Sequence, residues 1–221
     1  MNAQLWDNVT RPKDVEQRRI VEADQITAAV LVGGRARRLD GTRKPSLVVG
    51  QQTIVERQLD AIRGAGIRSV LMIGRWEADV PGGVTHVPDV VENAGPLGGI
   101  YSALLVACTP VVVVLAGDMP FVRSSFVRAI AGVADDVDAI APKDSAGWHP
   151  LAAAYRRRVA VRIKARLDRG ALRVIEALGD MRVHPMTSET LQQLDAAGML
   201  LMNVNTPDDY RAAADHANRH A

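Results

Sequence analysis

The stretch "AAVLVGGRARRLDGTRKP" (28–45) runs an apolar segment into Gly33 and Gly34, then sets Arg35, Arg37, Arg38, Arg43 and Lys44 within ten residues. An arginine guanidinium offers phosphate oxygens a planar fork and a lysine offers a compact charge, so the pattern suits a phosphate-rich ligand. Paired glycines let such a ligand reach the backbone where a Cβ would obstruct it. The alternative is a solvated basic turn. In "VVVVLAGDMPF", Asp118 follows an apolar run, where a carboxylate can hold Mg²⁺ with phosphates completing the shell. It can equally cap a helix beginning near Pro120. "PDVVENAGPLGGIYSAL" carries Asp89 and a glycine turn, Gly98 included, which can bring amides to a ligand or permit close helix packing. By itself Asp89 reads as an ordinary loop carboxylate. "NVNTPDDY" has helix-start chemistry in Thr206, Pro207, Asp208 and Asp209, which leaves Asn203 and Asn205 without a local explanation. His149 and Cys108 read as structural, the cysteine as a small core residue.

Two common phosphate-loop templates are excluded. "GGRARRLDG" lacks the spacing of a dinucleotide fingerprint, and Lys44 stands between Arg43 and Pro45 rather than in a Walker A loop.

The elements that must position these residues alternate. Apolar runs at 26–32, 69–73, 111–118, 137–141 and 149–155, with a weaker one near 181–184, read as strands covered on both faces. Between and after them, helical spacing marks "TIVERQLDAIRGAG", where Ile54, Val55, Gln58, Leu59 and Ile62 share a face and Gly64 is a stop. Further helices are predicted at 98–107, 121–133, 156–167 and 171–178 and from about Pro207 onward. The alternation predicts an α/β fold of three α/β/α layers around a mainly parallel sheet. Ligands of such sheets sit beyond the strand C-termini, so Gly33 and Asp118 should share one crevice. Residues 1–25 read as a polar lead-in and 26–221 as a single domain.

Composition narrows the function. Of 221 residues, 48% are hydrophobic and 24% charged, as in a globular protein with a proper core. Aromatics at 4% and a net charge of +2 disfavour a nucleic-acid partner. One cysteine allows no intrachain disulfide or cysteine-built zinc site. No run suits a signal peptide or a membrane span, so the expectation is a cytoplasmic protein.

Taken in order, the segments resemble the molybdenum cofactor guanylyltransferases of the nucleotidyltransferase superfamily, from about Ile26 to Tyr210. "LVGGRARRLDGTRK" is similar to that family's opening loop, "GPLGG" to its G-P-L-A-G turn, "GDMPF" to its acid-proline motif and "NVNTPDD" to its N-x-N-T-P segment. The resemblance implies a Rossmann-like nucleotidyltransferase fold and GTP binding, with Leu31, Val32, Gly33 and Gly34 against the guanine and Arg38 and Lys44 on the phosphates. It makes Asp89 and Gly98 nucleotide contacts, Asp118 the Mg²⁺ ligand, and Asn203 and Asn205 contacts on the molybdopterin side. The expected partners are GTP, molybdopterin and, transiently, the proteins that donate and accept the cofactor. Both the paired glycines and "GPLGG" match the guanine-using pattern rather than the CTP-using one. Departures are Arg43 where the family has an acid, Val32 where it has alanine, and Met72 or Ile73 where it has an asparagine.

The implied reaction is attack by the terminal phosphate of molybdopterin on the α-phosphorus of GTP. A phosphate is already anionic near neutral pH, so positioning and charge neutralisation suffice, with Arg38, Lys44 and Asp118 as the catalytic set. "RKPSLVVGQQTI" also resembles a segment of sugar-phosphate nucleotidyltransferases, although the chain is short for their acceptor-binding insertions. A same-fold enzyme using CTP or a sugar phosphate is one rival; a nucleotide sensor without turnover is another.

Overall fold

The computed structural model describes residues 22–33 and 44–219. Four consecutive valines open strand β6 (Val111–Ala116), all of whose residues are buried. A period of two sends successive side chains to opposite faces, so an unbroken valine run requires a layer on each side. Val111, Val113 and Leu115 face one core, Val112 and Val114 the other.

Strand β1 (Ile26–Leu31) pairs in parallel with β6 and with β4 (Ser69–Ile73), which pairs in parallel with β5 (Thr85–Val87). Beyond β6 lie β9 (Ala152–Arg156), antiparallel to both neighbours, then β7 (Ala139–Asp144) and β10 (Val183–Thr187). With β8 (Gly147–Trp148) paired to β7, the sheet has eight strands in the order β10-β7-β9-β6-β1-β4-β5. The chain steps outward from β1 to β4 and β5, then returns to β1's other side as β6. That reversal makes the C-terminal ends of β1, β4 and β6 the switch point.

Helices α1 (Ile54–Gly64) and α3 (Ser124–Ala131) pack on one face through Val55, Leu59, Ile62, Phe126 and Ile130. On the other face lie α2 (Gly95–Val106), α4 (Ala160–Asp168) and α5 (Val174–Leu178). A smaller core joins Val49 of the hairpin β2 (Val48–Val49) and β3 (Gln52–Thr53) to Ile54, Phe121 and Ala213 and Ala217 of α7 (Pro207–Arg219). α6 (Ser188–Leu194) follows β10 directly. The expected three-layer α/β architecture is therefore present, with β9 as the one antiparallel neighbour between β6 and β7.

Local chemistry sets the boundaries. Thr53 caps α1 in a reciprocal box with Glu56, whose carboxylate accepts from the Thr53 N–H at 2.7 Å. Helix α2 starts at Gly95 rather than at residue 98, because Pro96 is favourable in a first turn; Gly95, at φ +60°, makes the turn into it. Helix α3 starts at Ser124, several residues after the predicted 121. The hairpin, β5 and α6 were absent from the sequence-based expectation; β2, β3 and β5 are too short to show periodicity. Cys108 is exposed, not a core residue, since α2 ends before it and a bend follows. No helix among the described residues is long and apolar enough to cross a membrane.

Candidate active site

The end of β1 fixes the first wall. Val32 and Gly33 N–H donate to the Ile73 carbonyl oxygen at 2.8 and 3.2 Å, carrying the pairing with β4 past the strand end. A Cβ on Gly33 would lie 2.7 Å from the Gly74 Cα and 3.0 Å from an Asp89 carboxylate oxygen. Gly74, at φ +108°, would push its own Cβ to 2.3 Å from the Gly33 Cα. The two glycines therefore touch backbone to backbone. Gly117, at the end of β6, donates to the Leu31 carbonyl at 3.0 Å, and its missing Cβ would sit 2.8 Å from the same oxygen.

Gly33 and Gly117 line a cavity of about 620 Å³, in the range of small-molecule sites, that brings together Leu31, Val32, Gly33, Lys44, Asp89 and Asp118, with Gly74 packed against Gly33. Gly34 and Arg38 lie outside the described residues, as does Arg43. Gly98 is a correction: it does not line the cavity, whereas Gly99 does, one residue further along α2. Gly98 serves packing instead, because a Cβ there would meet the Ala94 Cβ at 2.6 Å.

Asp89 follows β5 and is half-buried. Its loop is tied to α2: the Val90 N–H donates to the Ser102 hydroxyl at 3.0 Å, and that hydroxyl donates to the Gly98 carbonyl at 2.8 Å. Burial raises the Asp89 pKa above the ordinary carboxylate value.

At the other end stand Lys44 and Asp118. Lys44 is only 8% exposed, unusual for a lysine without a partner. Its Nζ donates to Asn205 Oδ1 at 2.5 Å and lies 3.6 Å from Asp118 Oδ2. Burial raises the Asp118 pKa, opposed by the Lys44 charge. Asp118 Oδ1 is buried with no hydrogen-bond partner. The capping alternative for Asp118 fails: α3 begins six residues later, with Arg123 preceding it.

The C-terminal segment closes this end. Val204 N–H donates to the Asp118 carbonyl at 2.8 Å. Asp209 Oδ2 accepts from the Asn205 and Thr206 N–H groups at 2.9 and 2.8 Å, while Thr206 Oγ1 accepts from the Asp209 N–H at 3.2 Å. This capping box is the helix start predicted at Thr206, and it fixes the backbone from which Asn205 reaches Lys44. Asn203 points elsewhere, donating to the Leu201 carbonyl at 3.0 Å. His149 pairs with Asp144 at 2.8 Å on the β7–β8 hairpin.

Sequence reasoning missed Gly117, which lines the cavity, and Gly74, which packs against Gly33. The available signal was positional: Gly74 follows β4 and Gly117 follows β6 as Gly33 follows β1.

A cavity lined by Asp89, Asp118, a buried lysine and several glycines can hold a flat group beside a chain of phosphates and neutralise charge at one end. The chain matches the family model of the MobA-like NTP transferase domain over residues 28–183. It is 30% identical over 185 residues to a probable molybdenum cofactor guanylyltransferase of Pelotomaculum thermopropionicum, covering 84% of this chain and 90% of that protein. The crystal structure of molybdopterin-guanine dinucleotide biosynthesis protein A from Archaeoglobus fulgidus superposes with a TM-score of 0.72 at 25% identity, over 87% of this chain and 99% of that one. The manganese complex of Rv0371c from Mycobacterium tuberculosis shares the fold, with a TM-score of 0.64 at 24% identity over 86% of this chain and 98% of that one. The chain belongs to the MobA-like NTP transferase family and is a transferase of the nucleotidyltransferase fold.

Proposed function

We propose that the protein transfers GMP from GTP to the terminal phosphate of molybdopterin, carrying molybdenum, with release of pyrophosphate. An acceptor phosphate oxygen forms a bond to the α-phosphorus while the bond from that phosphorus to the α–β bridging oxygen breaks, and the electron pair leaves with pyrophosphate. The observation that carries this reading is the glycine-lined cavity that brings Asp89 together with the Lys44–Asp118 pair. The names of the relatives at comparable length support the same substrates.

In this reading Leu31, Val32 and Gly33, with Gly34, receive the guanine, and Asp89 contacts the nucleoside. Lys44, with Arg38, offsets charge developing on the pyrophosphate, and Asn205, which accepts from Lys44, stands on the acceptor side. Preorganised charge of this kind is the main lever for phosphoryl-type transfer, where little covalent work falls to the protein.

The family implies a divalent cation, for which we take Mg²⁺. Asp118 fits it: a buried carboxylate oxygen without a hydrogen-bond partner, beside an open cavity, is a hard oxygen ligand. When bound, the cation would supply charge neutralisation on phosphate oxygens. The protein's own part is to hold that carboxylate and Lys44 at one end of the cavity. The enzyme is read as cytoplasmic, in transient contact with proteins that deliver and receive the cofactor.

The test is pyrophosphate release with Mg²⁺ and GTP, CTP or ATP, with and without molybdopterin. Release that requires both GTP and molybdopterin is expected. Turnover with CTP alone would overturn the guanine assignment, and no release with any nucleotide would favour a sensor.

A further inference from the structure

The buried face of α1 carries Ile54, Val55, Leu59, Ala61 and Ile62, and among them one amide, Gln58, with no exposed surface. Its Nε2 donates to the Ala116 carbonyl at 2.6 Å and the Met119 carbonyl at 3.1 Å. Those two carbonyls bracket Gly117 and Asp118. The preceding residue extends the same grip: Arg57 Nε donates to the Pro120 carbonyl at 2.9 Å, and its guanidinium lies 5.5 Å from the Phe121 ring centroid. Val204 holds the Asp118 carbonyl from the opposite side at 2.8 Å. The carbonyls of residues 116, 118, 119 and 120 are thus each engaged from outside the turn, three of them by α1.

The rest of Gln58 argues against a purely space-filling role. Its Oε1 is buried with no hydrogen-bond partner, a penalty that leucine or methionine at the same position would not incur. Gly117 cannot stiffen the turn by side-chain packing, since a Cβ would collide with the Leu31 carbonyl at 2.8 Å. Besides the Lys44 contact to Oδ2 at 3.6 Å, what fixes the Asp118 backbone is the set of donors aimed at the carbonyls of this turn.

We propose that Gln58 is a positioning residue for Asp118, clamping the carbonyls on either side of it so that the carboxylate is presented to the cavity in one orientation. The inference rests on the reading of Asp118 as the cation-binding carboxylate. Without the amide, two buried carbonyls lose their donor and the turn relaxes. Residues that orient a metal ligand typically change metal affinity or activity by about 10- to 100-fold when removed.

The experiment uses the full chain with Gln58→Met and Gln58→Leu, which fill the space without donating. Thermal unfolding establishes that each folds. Mn²⁺ affinity is read from the electron paramagnetic resonance of free Mn²⁺ in the presence of GTP, and kcat and KM from pyrophosphate release. The expected result is Mn²⁺ binding weakened about tenfold and kcat lowered about 10- to 100-fold, with KM for GTP within about twofold. Nucleotide contacts at Leu31–Gly33 are untouched, which is why KM should hold. Mn²⁺ affinity and kcat both within twofold of the parent in a folded variant would overturn the proposal. So would a parallel loss of KM, kcat and melting temperature, or the failure of both variants to fold, since these mark a structural role. Asp118→Asn is the parallel arm. If it retains Mn²⁺ affinity and turnover, the reading of the site is what fails; if it loses both while Gln58→Met does not, only the clamp fails.

Discussion

Alanine at position 74 probes the backbone contact on which the site floor depends, and the magnitude follows from two separable quantities. Gly74 has φ +108°, a region an L side chain adopts at a cost of about 1–3 kcal/mol. Its added Cβ would lie 2.3 Å from the Gly33 Cα and 2.4 Å from the Gly33 nitrogen, so one backbone must move. Overpacking of this kind adds typically 1–3 kcal/mol. Together they give roughly 2–6 kcal/mol, and a midpoint of about 4 kcal/mol lowers the melting temperature by about 8–16 °C for a chain of this size. Two nearby glycines provide the controls. Gly83 has φ +76° with nothing within 4 Å of its missing Cβ, so Gly83→Ala carries the strain alone. Gly82 has neither constraint, and Gly82→Ala should be neutral or slightly stabilising. Thermal and urea unfolding of the three variants should rank Gly74 well below Gly83, and Gly83 below Gly82. The same displacement would move Gly33 against Asp89, so GTP-induced thermal stabilisation should fall in Gly74→Ala alone. If Gly74→Ala and Gly83→Ala were equally destabilised, the backbone contact would not be tight and the reasoning would be wrong.

Lys44→Met removes the cation 3.6 Å from Asp118 and should lower pyrophosphate release by about 10²–10³; activity within tenfold of the parent would refute its role in charge neutralisation. Asp118→Asn should abolish turnover yet raise the melting temperature of the ligand-free chain at pH 7. The sign follows from burial: the folded pKa lies above the ordinary 3.8, so the carboxylate lowers stability as pH climbs through that interval, and the gain should vanish near pH 4. Asp138 behaves in the opposite sense. Burial would raise its pKa, but hydrogen bonds from the Arg182 N–H, Arg162 and Arg158 outweigh burial and hold it below 3.8. Its contribution is therefore present above pH 4 and lost as pH falls through the lowered value. Asp138→Asn should cost about 1–2 kcal/mol in urea unfolding at pH 7, because Arg158 and Arg162 are half-exposed, with the gap to the parent narrowing in acid.

Much of this protein was legible in the order of its residues. The valine run of β6 demands cover on both faces, and alternation with amphipathic helices leaves few topologies beside a mainly parallel sheet. Strand-end position then places Gly33 and Asp118 at one edge of that sheet, and the helix-start chemistry of Thr206 and Asp209 is local enough to read directly. What sequence could not supply is whatever depends on distances between segments far apart in the chain. Gly74 matters because its backbone touches Gly33, 41 positions away, and a lone glycine after a strand does not announce its partner. Gly98 and Gly99 are adjacent in "GPLGG", yet helical rotation sends one against Ala94 and the other into the cavity. Asn205 reaches Lys44 across 161 positions, and Gln58, plainly placed on the buried face of α1, acquires a role only because that face abuts the carbonyls around Asp118. Periodicity determines which faces are buried, a property of each segment. Which atoms meet across those faces is decided by packing, and packing exists only in the folded chain.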